Sequence, residues 1–242
     1  PKGLHNHPSL KTLRLEACRG EVTGIEDLLI SDKSKITQVI LSFQGPNYLE
    51  PAVRLTSNTG TLLALARYTE LTRLDISDCE LNRDCMRQLC NVLRGNPHLQ
   101  SLGLSRTHLL NTCLVELAPA LYHNVSIKEL DLSRNDLESK ASATLIRDIL
   151  RRNKGITKLD LTGNEFGGTP GAVQCIANGL GGNATLIEIV LADTRLDDDG
   201  LSILAESLRP QKRALRNLAL VGNHFVATGA RVLDILLSDS RL

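Results

Sequence analysis

Tryptophan is absent from the 242 residues, methionine occurs once, and only six side chains are aromatic: Phe43, Tyr48, Tyr68, Tyr122, Phe166 and Phe225. Globular cores usually mix aliphatics with large rings. So few rings exclude a core built on unique aromatic anchors and favour many small, similar packing layers. Charge of one sign is also missing: 28 Lys and Arg stand against 27 Asp and Glu. That disfavours a strongly basic nucleic-acid binder and an acidic tail. No apolar run approaches the roughly 18 residues of a spanning helix, and Pro1-Lys2-Gly3 does not open a secretion signal, so membrane insertion is not expected. What abounds is leucine, with 46 residues.

The leucines are periodic. The frame L-x-x-L-x-L opens eight times, at Leu10, Ile36, Leu71, Leu99, Ile127, Ile156, Leu186 and Leu215, at spacings of 26, 35, 28, 28, 29, 30 and 29 residues. In ITKLDLTGN, Leu159 and Leu161 share one side of a short strand, while Lys158, Asp160 and Thr162 share the other. The stretch ESKASATLIRDILRRN follows the frame at Ile127 and carries Leu145, Ile149 and Leu150 at helical spacing with a charged outer face. One helix covers one strand, and no unit buries its apolar face alone. Neighbours must therefore stack into an α/β solenoid of about eight units, with a parallel sheet on the concave side and helices on the convex side.

The ninth position of each unit holds Cys18, Gln44, Cys79, Thr107, Asn135, Asn164, Thr194 and Asn223. A small polar side chain at this sharp turn can pair backbone groups of its own and the adjacent coil, since buried amides require partners. The expectation is one domain over 1–242 with an irregular unit at 36–70. The spacing of Leu4 to Leu10 and of Leu236 to Leu242 matches Leu93 to Leu99, and neither end offers a polar cap, so a fragment of a longer protein is expected.

These motifs resemble the ribonuclease-inhibitor-like leucine-rich repeats, a family that includes the C-terminal domains of NOD-like receptors. The resemblance is carried by LTRLDISDCELNRDCMRQLCNVLRGNPHLQSLGL, with its D-C-x-L, L-C-x-V-L-R and N-P-x-L elements. It implies a horseshoe fold, and a function drawn from enzyme inhibitors, innate immune sensors, actin-regulating scaffolds or Ran GTPase-activating proteins. The chain departs from the pattern in three ways. The second unit is 35 residues long, Thr107 and Thr194 interrupt the alternation of Cys-type and Asn-type units, and the charge balance differs from the strongly acidic ribonuclease inhibitor. The last point argues against ribonuclease as the ligand.

The cysteines fall in columns: Cys18 and Cys79 at position nine, Cys85 and Cys113 at fifteen, Cys90 and Cys175 at twenty. Shared columns imply shared environments, here buried thiols in a reducing compartment, so a cytoplasmic location is expected. The spacing is not that of a zinc site. Asp197 to Gly200 with Glu206 approaches a calcium loop, but Arg195 occupies its first position; acids at a helix start account for the run better. Asn124 and Asn183 match glycosylation acceptors, yet both occupy the helix-to-strand turn and are expected to be structural. The six histidines form no catalytic grouping that the sequence can define. Neither a cofactor nor a metal is expected.

Positions three, five and seven of each unit face the concave side. Position five runs acidic in the middle through Asp75, Asp131 and Asp160. It then turns apolar with Val190 and Ala219, flanked by Ala192 and Val221 at position seven, with Ile187 beside them. Such a patch next to charges suits a protein partner; small residues that keep a curved sheet uncrowded, or a flanking domain that covers it, account for it equally. Phe43 and Tyr48 in the irregular unit could supply aromatic anchors or pack an oversized loop. Bases including Arg151, Arg152, Arg209 and Arg213 gather where helices end, and acids gather where strands pass into helices. This complements the helix dipoles and gives one basic and one acidic edge. The leading expectation is a non-catalytic protein-recognition module, similar to the ligand-sensing or autoinhibitory repeats of NOD-like receptors. The alternatives are a GTPase-activating or cytoskeleton-regulating module, for which no catalytic Arg or Asn can be assigned, and nucleic-acid sensing by the basic edge, with few aromatics for base stacking.

Overall fold

The computed structural model describes residues 9–16, 35–42, 53–54, 69–109, 111–208 and 214–226. Among them the elements run β1 (Thr12–Glu16), β2 (Gln38–Ser42), β3 (Val53–Arg54), β4 (Arg73–Asp75), β5 (Cys79–Glu80), α1 (Arg83–Gly95), β6 (Ser101–Gly103), α2 (Asn111–Tyr122), β7 (Glu129–Asp131), α3 (Lys140–Arg152), β8 (Lys158–Asp160), α4 (Ala172–Gly181), β9 (Glu188–Val190), α5 (Asp198–Leu208) and β10 (Asn217–Ala219), with strand and helix alternating from β5 onward. A 3-10 turn at Phe166–Gly168 precedes α4.

Each leucine frame supplies one strand of an eight-stranded sheet in the order β1-β2-β4-β6-β7-β8-β9-β10, with every pairing parallel. The register preserves the repeat columns: position five meets position five at Ile40 and Asp75, Gly103 and Asp131, Asp131 and Asp160, and Asp160 and Val190. The long second unit therefore adds length without a slip. The chain within it returns as β3, which pairs with β5 in a separate two-stranded sheet.

The inward positions build one continuous core. Leu71, Leu74 and Ile76 have no exposure, and Leu99, Leu102, Leu104, Ile127, Leu130 and Leu132 have 1% or less. Burial of each such side chain contributes about 1.5–3 kcal/mol. Successive helices pack on one another, from α1 against α2 to α4 against α5. In α3 the fully inward residue is Ile146 at 1% exposure, whereas Leu145 is only partly buried. Ile149 and Leu150 are buried as their spacing predicts, but Ile146 takes the inward place expected for Leu145, so that Ala143, Ile146, Ile149 and Leu150 share the buried face.

Two asparagine columns hold the coils together. At position nine, buried Asn135 accepts through Oδ1 from the amides of Thr107 (2.9 Å) and Leu109 (3.1 Å) and donates through Nδ2 to the carbonyls of Leu104 (2.6 Å) and Ser133 (3.1 Å). Asn164 does the same for Asn135 and Leu137, and Asn223 for Thr194 and Leu196. Cys79 acts as a weak donor in this column, its Sγ directed at the carbonyls of Leu41 and Ser77. Asn96, Asn124, Asn153 and Asn183 form the second column at the helix-to-strand turn. Asn183 donates to the Leu150 carbonyl and accepts from the Thr185 and Leu186 amides, which is the structural role expected for it.

Position eight turns the chain out of each strand and is left-handed in every described unit from β4 onward: Asp78, Arg106, Arg134, Gly163, Asp193 and Gly222 have φ between 52° and 72°. Only glycine adopts this region without steric cost. The four other residues are held there by the fixed spacing between strand and position-nine anchor.

Candidate functional site

The outward side of β4, β6, β7 and β8 forms a groove of about 300 Å³. Its walls include Arg73, Asp75, Glu129, Asp131, Lys158 and Asp160, and Gly103 lies on its floor. A Cβ on Gly103 would sit 2.5 Å from Asp75 Oδ1, so the missing side chain opens the groove. Asp75, Asp131 and Asp160 are brought together here, as the column spacing predicted. Each carboxylate also braces its own turn: Asp75 Oδ1 accepts from the Ser77 hydroxyl (2.7 Å), Asp131 Oδ1 from the Ser133 amide (2.9 Å) and Asp160 Oδ1 from the Thr162 amide (2.9 Å). The position-seven serines continue the network, with Ser105 donating its amide to the Ser77 hydroxyl and Ser133 donating to the Ser105 hydroxyl.

Burial pushes the Asp131 carboxyl above its ordinary range; hydrogen bonds from Ser133 oppose the shift, and the neighbouring Asp160 and Asp75 add to it. Lys158 lies 2.8 Å from Glu188, and their hydrogen bond raises the lysine and lowers the glutamate. The walls formed by Arg73, Glu129 and Lys158 occupy position three and were not singled out from the sequence. The signal was present, since that column alternates in charge at Arg73, Glu129, Lys158 and Glu188.

Beyond Asp160, row five continues through Val190 and Ala219 in register. Both are half-buried, as is Ala192, while Ile187 is 39% and Val221 77% exposed. The groove thus passes from charge into an apolar strip. Arg151 and Arg152 stand exposed at the end of α3, where the Arg152 guanidinium lies 4.7 Å from the centre of the Tyr122 ring. Phe43, Tyr48, Arg209 and Arg213 lie outside the described residues.

The edge where strands pass into helices is not uniformly acidic, contrary to the expectation from sequence. Arg106 forms a two-pronged pair with Asp78, Arg195 meets Glu165 at 3.0 Å, and Arg134 crosses to Asp193 at 4.0 Å. Arginines in the left-handed turns neutralise neighbouring acids, which is invisible until the turns are aligned. On the same edge, Asp197 Oδ1 accepts from the Gly200 amide at the start of α5 and Asp198 Oδ1 accepts from the Val226 amide. Among the described residues no group of three or more His, Cys, Asp or Glu could hold a metal ion. Cys79, Cys85, Cys90, Cys113 and Cys175 are buried. Burial raises the first four thiols and keeps them protonated, as suits core residues. No described helix is long and apolar enough to cross a membrane.

Comparison with known proteins agrees with this architecture. A family model described as Leucine Rich repeat matches residues 123–141. The chain is 31% identical over 243 residues to the human NACHT, LRR and PYD domains-containing protein 13; the match takes in 98% of this chain and spans 19% of that relative's length. Among solved structures, leiomodin-1 actin-binding site 2 superposes with a TM-score of 0.51 at 25% identity, over 64% of this chain and 87% of that one. The tropomodulin C-terminal domain of Caenorhabditis elegans does so at 0.51 and 12%, over 64% and 92%, and shows the fold alone.

Proposed function

Because the chain is a leucine-rich repeat array of the ribonuclease-inhibitor-like kind, as in NOD-like receptor C-terminal domains, we propose that it is a non-catalytic protein-recognition module. Its partner would be held on the concave sheet face, within a larger intracellular protein. The observation that carries this reading is the groove over Gly103, where Arg73 and Lys158 oppose Asp75, Asp131 and Asp160 and an apolar strip begins at Val190. Mixed charge beside apolar area gives a protein partner both register and buried surface. On the resemblance to NOD-like receptor repeats, with which the identity to the human relative is consistent, the role would be sensing or autoinhibitory. The test is affinity capture from cell extract with the wild-type chain and with an Asp131→Lys, Asp160→Lys double variant shown by circular dichroism to be folded at the assay temperature. A partner retained by the first and lost by the second supports the reading, and equal retention refutes the concave face.

A second reading, cytoskeletal binding, is favoured by the likeness to leiomodin-1 actin-binding site 2. Co-sedimentation with filamentous and monomeric actin tests it directly, and absence of the chain from both bound fractions refutes it.

A further inference from the structure

A second groove, of about 630 Å³, lies on the opposite edge of the sheet from the left-handed turns, between the turn after α1 and the end of α2. We propose that it docks an acidic segment bearing apolar side chains, contributed by a partner protein, independently of the concave face. The repeat itself shows what is unusual here. Counted back from the turn asparagines Asn96, Asn124, Asn153 and Asn183, the solvent-facing helix positions read Arg87, Val115, Thr144 and Gln174 nine residues earlier. Five residues earlier they read Asn91, Pro119, Asp148 and Asn178. The residue just after the asparagine is Pro97, Val125, Lys154 or Ala184. Among these four units only the α2 unit is apolar at all three positions; Pro119 and Val125 line the groove, and Val115 lies one helical turn before Pro119, outside its lining. Val115 is 54% and Val125 64% exposed, and Pro119 is exposed within the helix. Pro119 also has no amide proton to donate to the Val115 carbonyl.

The rim of the groove is cationic. Arg94 and Lys128 supply this charge, His123 lies beside them, and no acidic residue lines the groove. Several bases elsewhere, among them Arg83, Arg106, Lys158 and Arg195, are each matched with a carboxylate, although the helix-end bases Arg151, Arg152 and Lys154 have no described ion pair. Arg94 and Lys128 instead donate to the Asn91 side chain (3.4 Å) and the Val125 carbonyl (2.9 Å), so their charge is not compensated by a described ion pair. Apolar ground with uncompensated cations complements a carboxylate-rich apolar strand or helix. A nucleic acid would find the same cations but no Phe, Tyr or Trp among the lining residues to stack on.

Fluorescence anisotropy with a labelled hexapeptide of alternating glutamate and leucine tests the proposal on the full chain. Saturable binding is expected, weakened at least tenfold by Lys128→Glu and by Val125→Glu and unchanged by Arg87→Glu, which makes the same charge change on α1 outside the groove. All three sites are exposed, and matching circular dichroism and Tm establish that the variants fold. The proposal is overturned if the peptide does not bind or if Arg87→Glu weakens it equally. Equal binding of the lysine-leucine counterpart, or displacement of the peptide by a single-stranded oligonucleotide at lower concentration, also overturns it.

Discussion

Replacing Asn135 with alanine should cost far more stability than the loss of one surface amide, because the side chain serves the backbone of the preceding unit. Its Oδ1 is the acceptor for the Thr107 and Leu109 amides. Its Nδ2 donates to the Leu104 and Ser133 carbonyls, but these have other donors in the Thr107 hydroxyl and the Arg106 amide. The penalty therefore falls on two buried amides, at about 1–3 kcal/mol each, or about 2–6 kcal/mol together. Thr107→Val should cost less: its hydroxyl donates to Leu104 and Asn135, and both acceptors keep other donors. Urea unfolding gives the total. Amide hydrogen exchange at Thr107 and Leu109 gives the location, which matters because repeat arrays need not unfold in one step. Exchange should accelerate at these two amides more than at the equivalent Asn135 and Leu137 amides held by Asn164. An Asn135→Ala variant within 1 kcal/mol of wild type, or one no less stable than Thr107→Val, would refute the bridging role.

Gly167→Ala should lower Tm sharply, because its Cβ would lie 1.9 Å from the Arg195 carbonyl oxygen, a backbone atom of the next unit, whereas nothing lies within 4 Å at Gly168. The overpacking cost is about 1–3 kcal/mol, and equal Tm values for Gly167→Ala and Gly168→Ala would contradict it. Asp131→Asn should raise Tm at neutral pH, since the raised folded-state pKa means the charged carboxylate disfavours the fold above that value. The gain should vanish as pH falls through the raised pKa and the wild-type carboxyl becomes neutral; a difference that persists or grows at low pH refutes the sign. Gly103→Leu should fill the concave groove and abolish capture of any concave-face partner, read in the same capture assay, and a partner retained by a folded variant would refute that placement.

The strand frame was legible because period-two burial and leucine spacing both act within one unit; hence Leu74, Leu102, Leu130 and Leu159 fall opposite one another in the sheet. The position-nine column was legible for the same reason, as buried amides leave few residue types able to serve that turn. The rest depends on relations between units. Whether Leu145 or Ile146 points inward depends on helix rotation against α4, and two adjacent aliphatics do not decide it. The pairing of β3 with β5 joins the atypical unit to the turn of the next one. The Arg106–Asp78 pair needs both left-handed turns in place before opposite charges 28 residues apart can meet.

The same dependence bears on the concave acids. Sequence spacing placed Asp75, Asp131 and Asp160 in one row and suggested an acidic binding surface, but one oxygen of each is committed to its own turn. A carboxylate that braces position seven is useful to the fold even without a partner, so the row alone does not distinguish scaffold from site. Gly103 does more to distinguish them. Row five as such tolerates side chains, since Asp131 and Asp160 are accommodated on adjacent strands in the same register, but at Gly103 a Cβ would meet the Asp75 carboxyl at 2.5 Å, and the gap is where arginine, lysine and three aspartates converge. The glycine therefore serves the seat of Asp75 as well as the width of the groove, and loss of a concave-face partner in a folded Gly103→Leu variant is the result that would assign it to binding.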